Sequence, residues 1–174
     1  MRIDIYVKEE RVFTEALSKV DDGWQQDGSE GEVMPHSANG LAALQRGIHG
    51  NLYGLHELES LGYTIEYLGI QALRGINYWA LDLTSPWGKL ERHYFDKASY
   101  LKVASQDESA LHVDVDPTKV LKVSYSYDYQ MHEGVMFSMV GKVIDLNKNV
   151  VIQNVVINSI NVNSPQDVKQ FLKP

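Results

Sequence analysis

The residue types that first suggest chemistry are six histidines, His36, His49, His56, His93, His112 and His132. None belongs to a His-x-x-x-His pair, and only His49 and His56 fall in one expected helical region, so solvated or packing roles account for them. His112-Val113-Asp114-Val115-Asp116 would set His112, Asp114 and Asp116 on one strand face, which could hold a hard cation. The polar side of an edge strand has the same pattern, and we expect no metal site. No Gly-x-Ser-x-Gly, phosphate-cradling glycine loop or dinucleotide fingerprint occurs. The expectation is therefore no catalytic residue, no cofactor and no enzyme. The chain has no cysteine, which removes thiolate metal sites, disulfides and thiol nucleophiles together.

Charge narrows the partners. With 16 Lys+Arg against 23 Asp+Glu, the net charge of −7 disfavours a phosphate backbone, so no nucleic-acid role is expected. No window approaches the ~20 apolar residues of a membrane-spanning helix. The opening residues alternate apolar and polar side chains where an export signal needs an unbroken apolar stretch. A cytoplasmic protein, or the mature or truncated part of an exported one, fits that opening equally.

The elements that would position a site are mostly strands. Ile3, Ile5 and Val7 share one face of a first strand, and residues 12–20 form a second, giving a hairpin. Residues 21–35 are turn-rich, with one short strand around Trp24. Ser37 caps a helix whose stripe is Leu41, Leu44 and Ile48, and a second short helix over 51–61 carries Leu52, Leu55 and Leu58 before Gly62 ends it. From residue 63 the pattern is β. Strands are expected over 63–68 and on towards 75, over 78–84 with Trp79, Leu81 and Leu83 on one face, and over 89–96, 99–105, 120–129, 136–144 and 150–162. Residues 167–171 make a helical turn at most.

Eight to ten strands with two short helices describe a mainly β (α+β) chain. The expected architecture is one strongly twisted antiparallel sheet forming an incomplete (half) barrel, with the helices over its concave face. No repeat or linker divides it, so residues 1–174 are expected to form a single domain. Ten tyrosines and three tryptophans, most on or beside strands, can pack as cross-strand pairs or line a cavity.

The order of motifs resembles the later part of the bacterial outer-membrane lipoprotein-sorting proteins, the LolA/LolB-like superfamily of periplasmic lipid carriers. The likeness runs through Met1-Arg2-Ile3-Asp4-Ile5 and then Asp22-Gly23-Trp24, similar to the family's Asp-Gly-x-x-Gly-Trp turn with its first half altered. It continues through Gly62-Tyr63-Thr64-Ile65-Glu66-Tyr67-Leu68-Gly69, the strand around Trp79, Gly88, Tyr94-Phe95-Asp96 and Tyr100-Leu101. Asp128-Tyr129, Gly134-Val135-Met136-Phe137, Asn163 and Phe171-Leu172-Lys173-Pro174 close the match. The family's Phe-Pro pair is Phe137-Ser138 here. The family's signal peptide, N-terminal helix and first strands would precede Met1, so the chain reads as N-terminally truncated relative to it.

The resemblance implies a periplasmic, non-enzymatic carrier of a lipid, lipoprotein acyl chain or other hydrophobic ligand, held in an apolar groove between sheet and helices. Leu41, Leu44, Ile48, Leu52, Leu55, Trp79, Leu81 and Leu83 are the candidate lining, and a closed core of sheet on helices is the alternative for the same residues. A β-sheet interaction module without lipid is the second functional reading. A missing strand would leave the N-terminal strand as an open edge, for which we expect a homodimer.

Overall fold

A computed structural model describes residues 1–19, 22–52, 55–162 and 165–173. Val20, Asp21, Asn163 and Pro174, used in the sequence reading, lie outside the described residues. Among the described residues the chain is mainly β, with two helices and antiparallel sheets that do not close into a barrel. Its residues fall into two compact units, one made of Met1–Gly54, His112–Asp116 and Pro165–Pro174, the other of Leu55–Leu111 and Pro117–Ser164.

The first unit is a four-stranded antiparallel meander, β1 (Arg2–Val7), β2 (Glu10–Lys19), β3 (Asp22–Asp27) and β4 (Val33–Pro35), followed by helix α1 (Ala38–Leu52). Lys8 and Glu9 both take left-handed backbone angles, the geometry a two-residue hairpin turn needs to match the strand twist. Ala16, Leu17 and Trp24 are buried, and Arg2 lies 5.9 Å above the Trp24 ring. Arg2 grips Asp4 through Nε at 2.9 Å and a second nitrogen at 3.0 Å, and Thr14 donates to the same carboxylate at 2.7 Å. Those bonds, Arg2 foremost, hold the Asp4 carboxyl below its usual range. The Trp24 indole N–H donates to the Phe171 carbonyl at 3.2 Å, which docks the 3₁₀ turn Val168–Phe171. Ser37 caps α1 as expected: its hydroxyl accepts from the Gly40 N–H at 3.0 Å.

The second unit opens with a single helical turn, α2 (Leu55–Leu58), and a 3₁₀ turn (Glu59–Leu61) that Gly62 ends at φ 85°. A seven-stranded antiparallel meander follows: β5 (Thr64–Leu73), β6 (Ile76–Thr84), β7 (Leu90–Phe95), β8 (Lys102–Ser109), β9 (Val120–His132), β10 (Val135–Asp145) and β11 (Val150–Val156). β5 and β11 are its two edges. Arg74, in the β5–β6 turn, donates to the Asn149 side chain in the β10–β11 turn, so the sheet bends far enough for turns near its opposite edges to meet. One face carries a buried cluster of Leu73, Ala80, Tyr94, Ala104 and Val123.

Several expectations are corrected. Among the described residues the strands number eleven, against the eight to ten expected, and they pair in two antiparallel sheets. β4 was missed because three residues show no period. α1 runs on through Leu52, so the second helix begins only at Leu55. The strand expected over 99–105 starts at Lys102, because the Asp96 carboxylate accepts from the Ala98 and Ser99 amides and Tyr100 is left-handed, which shapes 96–100 as a turn. The last strand stops at Val156. No helix among the described residues is long and apolar enough to cross a membrane.

Candidate functional site

In β6, side chains alternate so that Trp79, Leu81 and Leu83 share one face while Tyr78, Ala80 and Asp82 share the other. The β5 register sets Ile65 opposite Leu83, Tyr67 opposite Leu81 and, beyond a bulge, Ile70 opposite Trp79. Two adjacent strands thus present an apolar strip. Leu58, Tyr63 and Leu83 form its buried floor, with Leu55, Leu61, Ile65 and Leu81 packed half-buried around them. Towards Trp79 the cover thins, and Tyr67 and Ile70 are 62% and 51% exposed. The Tyr67 and Trp79 rings lie 6.3 Å apart, and the Trp79 indole nitrogen is buried without a hydrogen-bond partner.

Local sequence explains the floor. After the Leu55–Leu61 turns, the Gly62 amide bonds back to Glu59 and the Tyr63 amide to Leu58, both at 3.0 Å, turning the chain into β5. Tyr63 meets Trp87 edge-on at 6.4 Å. On the β7 side the strip is bordered by Glu91 and His93, paired at 2.9 Å, and then by Phe95 beside Trp79.

Of the residues expected to line a groove, Leu55, Leu81 and Leu83 come together here and Trp79 continues the strip. Leu41, Leu44 and Ile48 belong to the first unit: Leu44 is buried, Ile48 half-buried, and Leu41 sits where a Cβ on Gly23 would come within 2.7 Å of it. The Leu52 side chain lies outside the described residues. Leu58, Leu61, Ile65 and Ile70 were not among the candidate lining, while Tyr63 and Tyr67 belong to the tyrosines read as able to pack across strands or line a cavity. Leu58 lay on the expected helical stripe, but Ile65, Tyr67 and Ile70 enter only through the β5–β6 register.

Two polar clusters lie elsewhere. In the first unit, Asp114 accepts from His36 Nδ1 at 2.9 Å, from the Ser37 amide at 3.2 Å and from the Ser37 hydroxyl. Burial alone would raise the Asp114 carboxyl, but these bonds outweigh it and hold it below its usual range. Ser37 and His36 each bind the carboxylate and the hydroxyl also caps α1, so the serine is engaged as a structural ligand. His112–Asp116 is a tight turn, not a strand: the Val115 and Asp116 amides both bond to the His112 carbonyl. The face expected to gather His112, Asp114 and Asp116 therefore does not form, and among the described residues no group of three or more His, Asp or Glu is arranged to hold a metal. In the second unit, Asp107 takes Lys89 at 2.8 Å and Lys122 at 3.1 Å. The tyrosines of the opposite sheet face pack in pairs, Tyr78 with Tyr94 and Tyr125 with Tyr127.

No family model matches the sequence, and no curated protein matches it. Among solved structures, the chain is similar at the level of fold to a crystal structure described as an outer membrane lipoprotein-sorting protein domain from Vibrio parahaemolyticus. The identity is 12%, the TM-score 0.49, and the match covers 87% of this chain and 67% of that one.

Proposed function

We propose that this protein carries a hydrophobic ligand, the acyl chain of a lipid or lipoprotein, along the β5–β6 strip, acting by binding and without chemical turnover. One observation carries the reading: apolar side chains continue without a charge from the floor at Leu83 to the exposed rim at Tyr67 and Ile70. Monomeric proteins seldom leave such a run open. An acyl chain laid over Leu81 and Trp79 extends the existing cluster, and each methylene it buries contributes about 0.8 kcal/mol. The sequence resemblance supports the same class of ligand and a place in the periplasm.

The test is uptake of palmitate, read by native mass spectrometry and by quenching of tryptophan emission with a brominated analogue. Tyr67→Lys with Ile70→Lys alters the rim while leaving the floor intact. If the pair covers about four methylenes, affinity falls roughly 200-fold, with circular dichroism unchanged. No uptake by the wild-type chain, or equal uptake by the double variant, overturns the reading.

A further inference from the structure

Among the described residues four strands end the two sheets, and three of them carry features that discourage strand addition. β1 bears Arg2 and Asp4 with a bulge between Ile5 and Tyr6. β4 is three residues long and ends in Pro35. β5 bears Glu66 and is broken by a bulge between Tyr67 and Gly69. β11 differs: residues 149–162 contain no charged side chain, and Val150, Val151, Val155 and Val156 stand 46%, 49%, 41% and 68% exposed. Its one irregularity lies between its partners Val143 and Ile144, which leaves 153–157 regular.

The backbone phase of that regular stretch follows from one bond. Ile157 donates its amide to the Met139 carbonyl at 2.8 Å. Because backbone groups alternate across an antiparallel strand, Val155 and Gln153 also direct theirs towards β10, and Asn154 and Val156 direct theirs outward. Open donors and acceptors two residues apart are the half-ring that an antiparallel neighbour completes.

We propose that β11 pairs antiparallel with β11 of a second copy of this chain, about a two-fold axis through Val155. Asn154 then exchanges both backbone hydrogen bonds with Val156 of the second copy, and Val156 with Asn154. Val155 faces its own counterpart, and the two seven-stranded sheets become one. Charge selects this occupant. The chain carries −7, so two copies repel over most of their surface, yet the charge-free 149–162 stretch brings no like charges together. A basic partner would find no carboxylate on this edge to read. One strand pair falls short of the roughly 800 Å² per partner of a standard interface, so the dimer is weak, with dissociation in the micromolar range.

Sedimentation equilibrium over a concentration series tests this directly. The wild-type chain should pass from monomer to dimer across that range. Val156→Pro removes an outward amide that makes no bond to β10, so it should raise the dissociation constant at least tenfold while circular dichroism and the thermal transition stay unchanged. Val155→Lys, placing two ammonium groups opposite each other, should do the same should the proline variant not fold. Ile5→Lys, on β1, should leave the dimer intact. A wild-type chain that stays monomeric, a Val155→Lys chain that dimerises like wild type, or a dimer abolished by Ile5→Lys overturns the proposal.

Discussion

Leu83→Ala probes the floor of the strip. Leu83 is 4% exposed, lies on β6 between Ile65 and Glu91, and packs with Leu58 and Tyr63. The substitution removes three carbons at about 0.8 kcal/mol each, and the partly collapsed cavity brings the cost to about 3 kcal/mol. The helical turns over it are too short to persist alone, so they lose their dock at the same time. For a chain of this length each kcal/mol moves the midpoint by about 2–4 °C, and the transition followed by far-ultraviolet circular dichroism should fall by about 10 °C. Tyr67→Ala, at a 62% exposed rim position, should shift it by less than about 2 °C. Hydrogen exchange should show the Tyr63 amide losing protection first, because its bond to Leu58 closes the turn. A Leu83→Ala midpoint within about 2 °C of wild type, or a Tyr67→Ala shift as large as that of Leu83→Ala, refutes the assignment of floor and rim.

Asp107→Asn leaves Lys89 and Lys122 around a neutral amide and should cost about 3 kcal/mol by urea denaturation. Burial alone would raise the Asp107 carboxyl, but hydrogen bonds from Lys89 and Ser109 and the Lys122 charge hold it below its usual range, as Arg2 does for Asp4. Both contributions are complete above the unfolded carboxylate value of about 3.9 and are lost as pH falls through the lower folded values, so acid melts should steepen below about pH 4. Ser37→Ala removes the α1 cap and should cost about 1 kcal/mol. Gly62→Ala forces a Cβ into a left-handed position 3.2 Å from Pro86 and should cost about 1–2 kcal/mol, measured by thermal denaturation.

Elements with a strong period were legible in the sequence. The Trp79, Leu81, Leu83 alternation placed β6 and its face, and Ser37 and Gly62 marked the ends of the helical insert. The site was legible only by halves. Strand alternation identifies which side chains share a face, but pairing register, set over long sequence distances, decides that Ile65 and Tyr67 join them. The helical insert between β4 and β5 stands where the two sheets divide, but a helical pattern can equally join two strands of one sheet, so the division could not be read from it. His112–Asp116 shows the opposite failure: an alternating pattern on five residues became a turn once Asp114 bound His36 and Ser37.

The Trp24 bond to Phe171 spans 147 residues, and Asp114 reaches Ser37 across 77. The first unit is therefore assembled from three separate stretches of chain, while every neighbouring pair in the seven-stranded sheet is also consecutive in sequence. On a ribosome, β1 to α1 emerge before residues 112–116 and 165–174 and must wait for both, whereas the long meander can zip up strand by strand as it appears. The unit begun earlier is thus completed later, and a nascent chain arrested before Phe171 should combine a formed meander with an open, protease-sensitive β1–β2 hairpin.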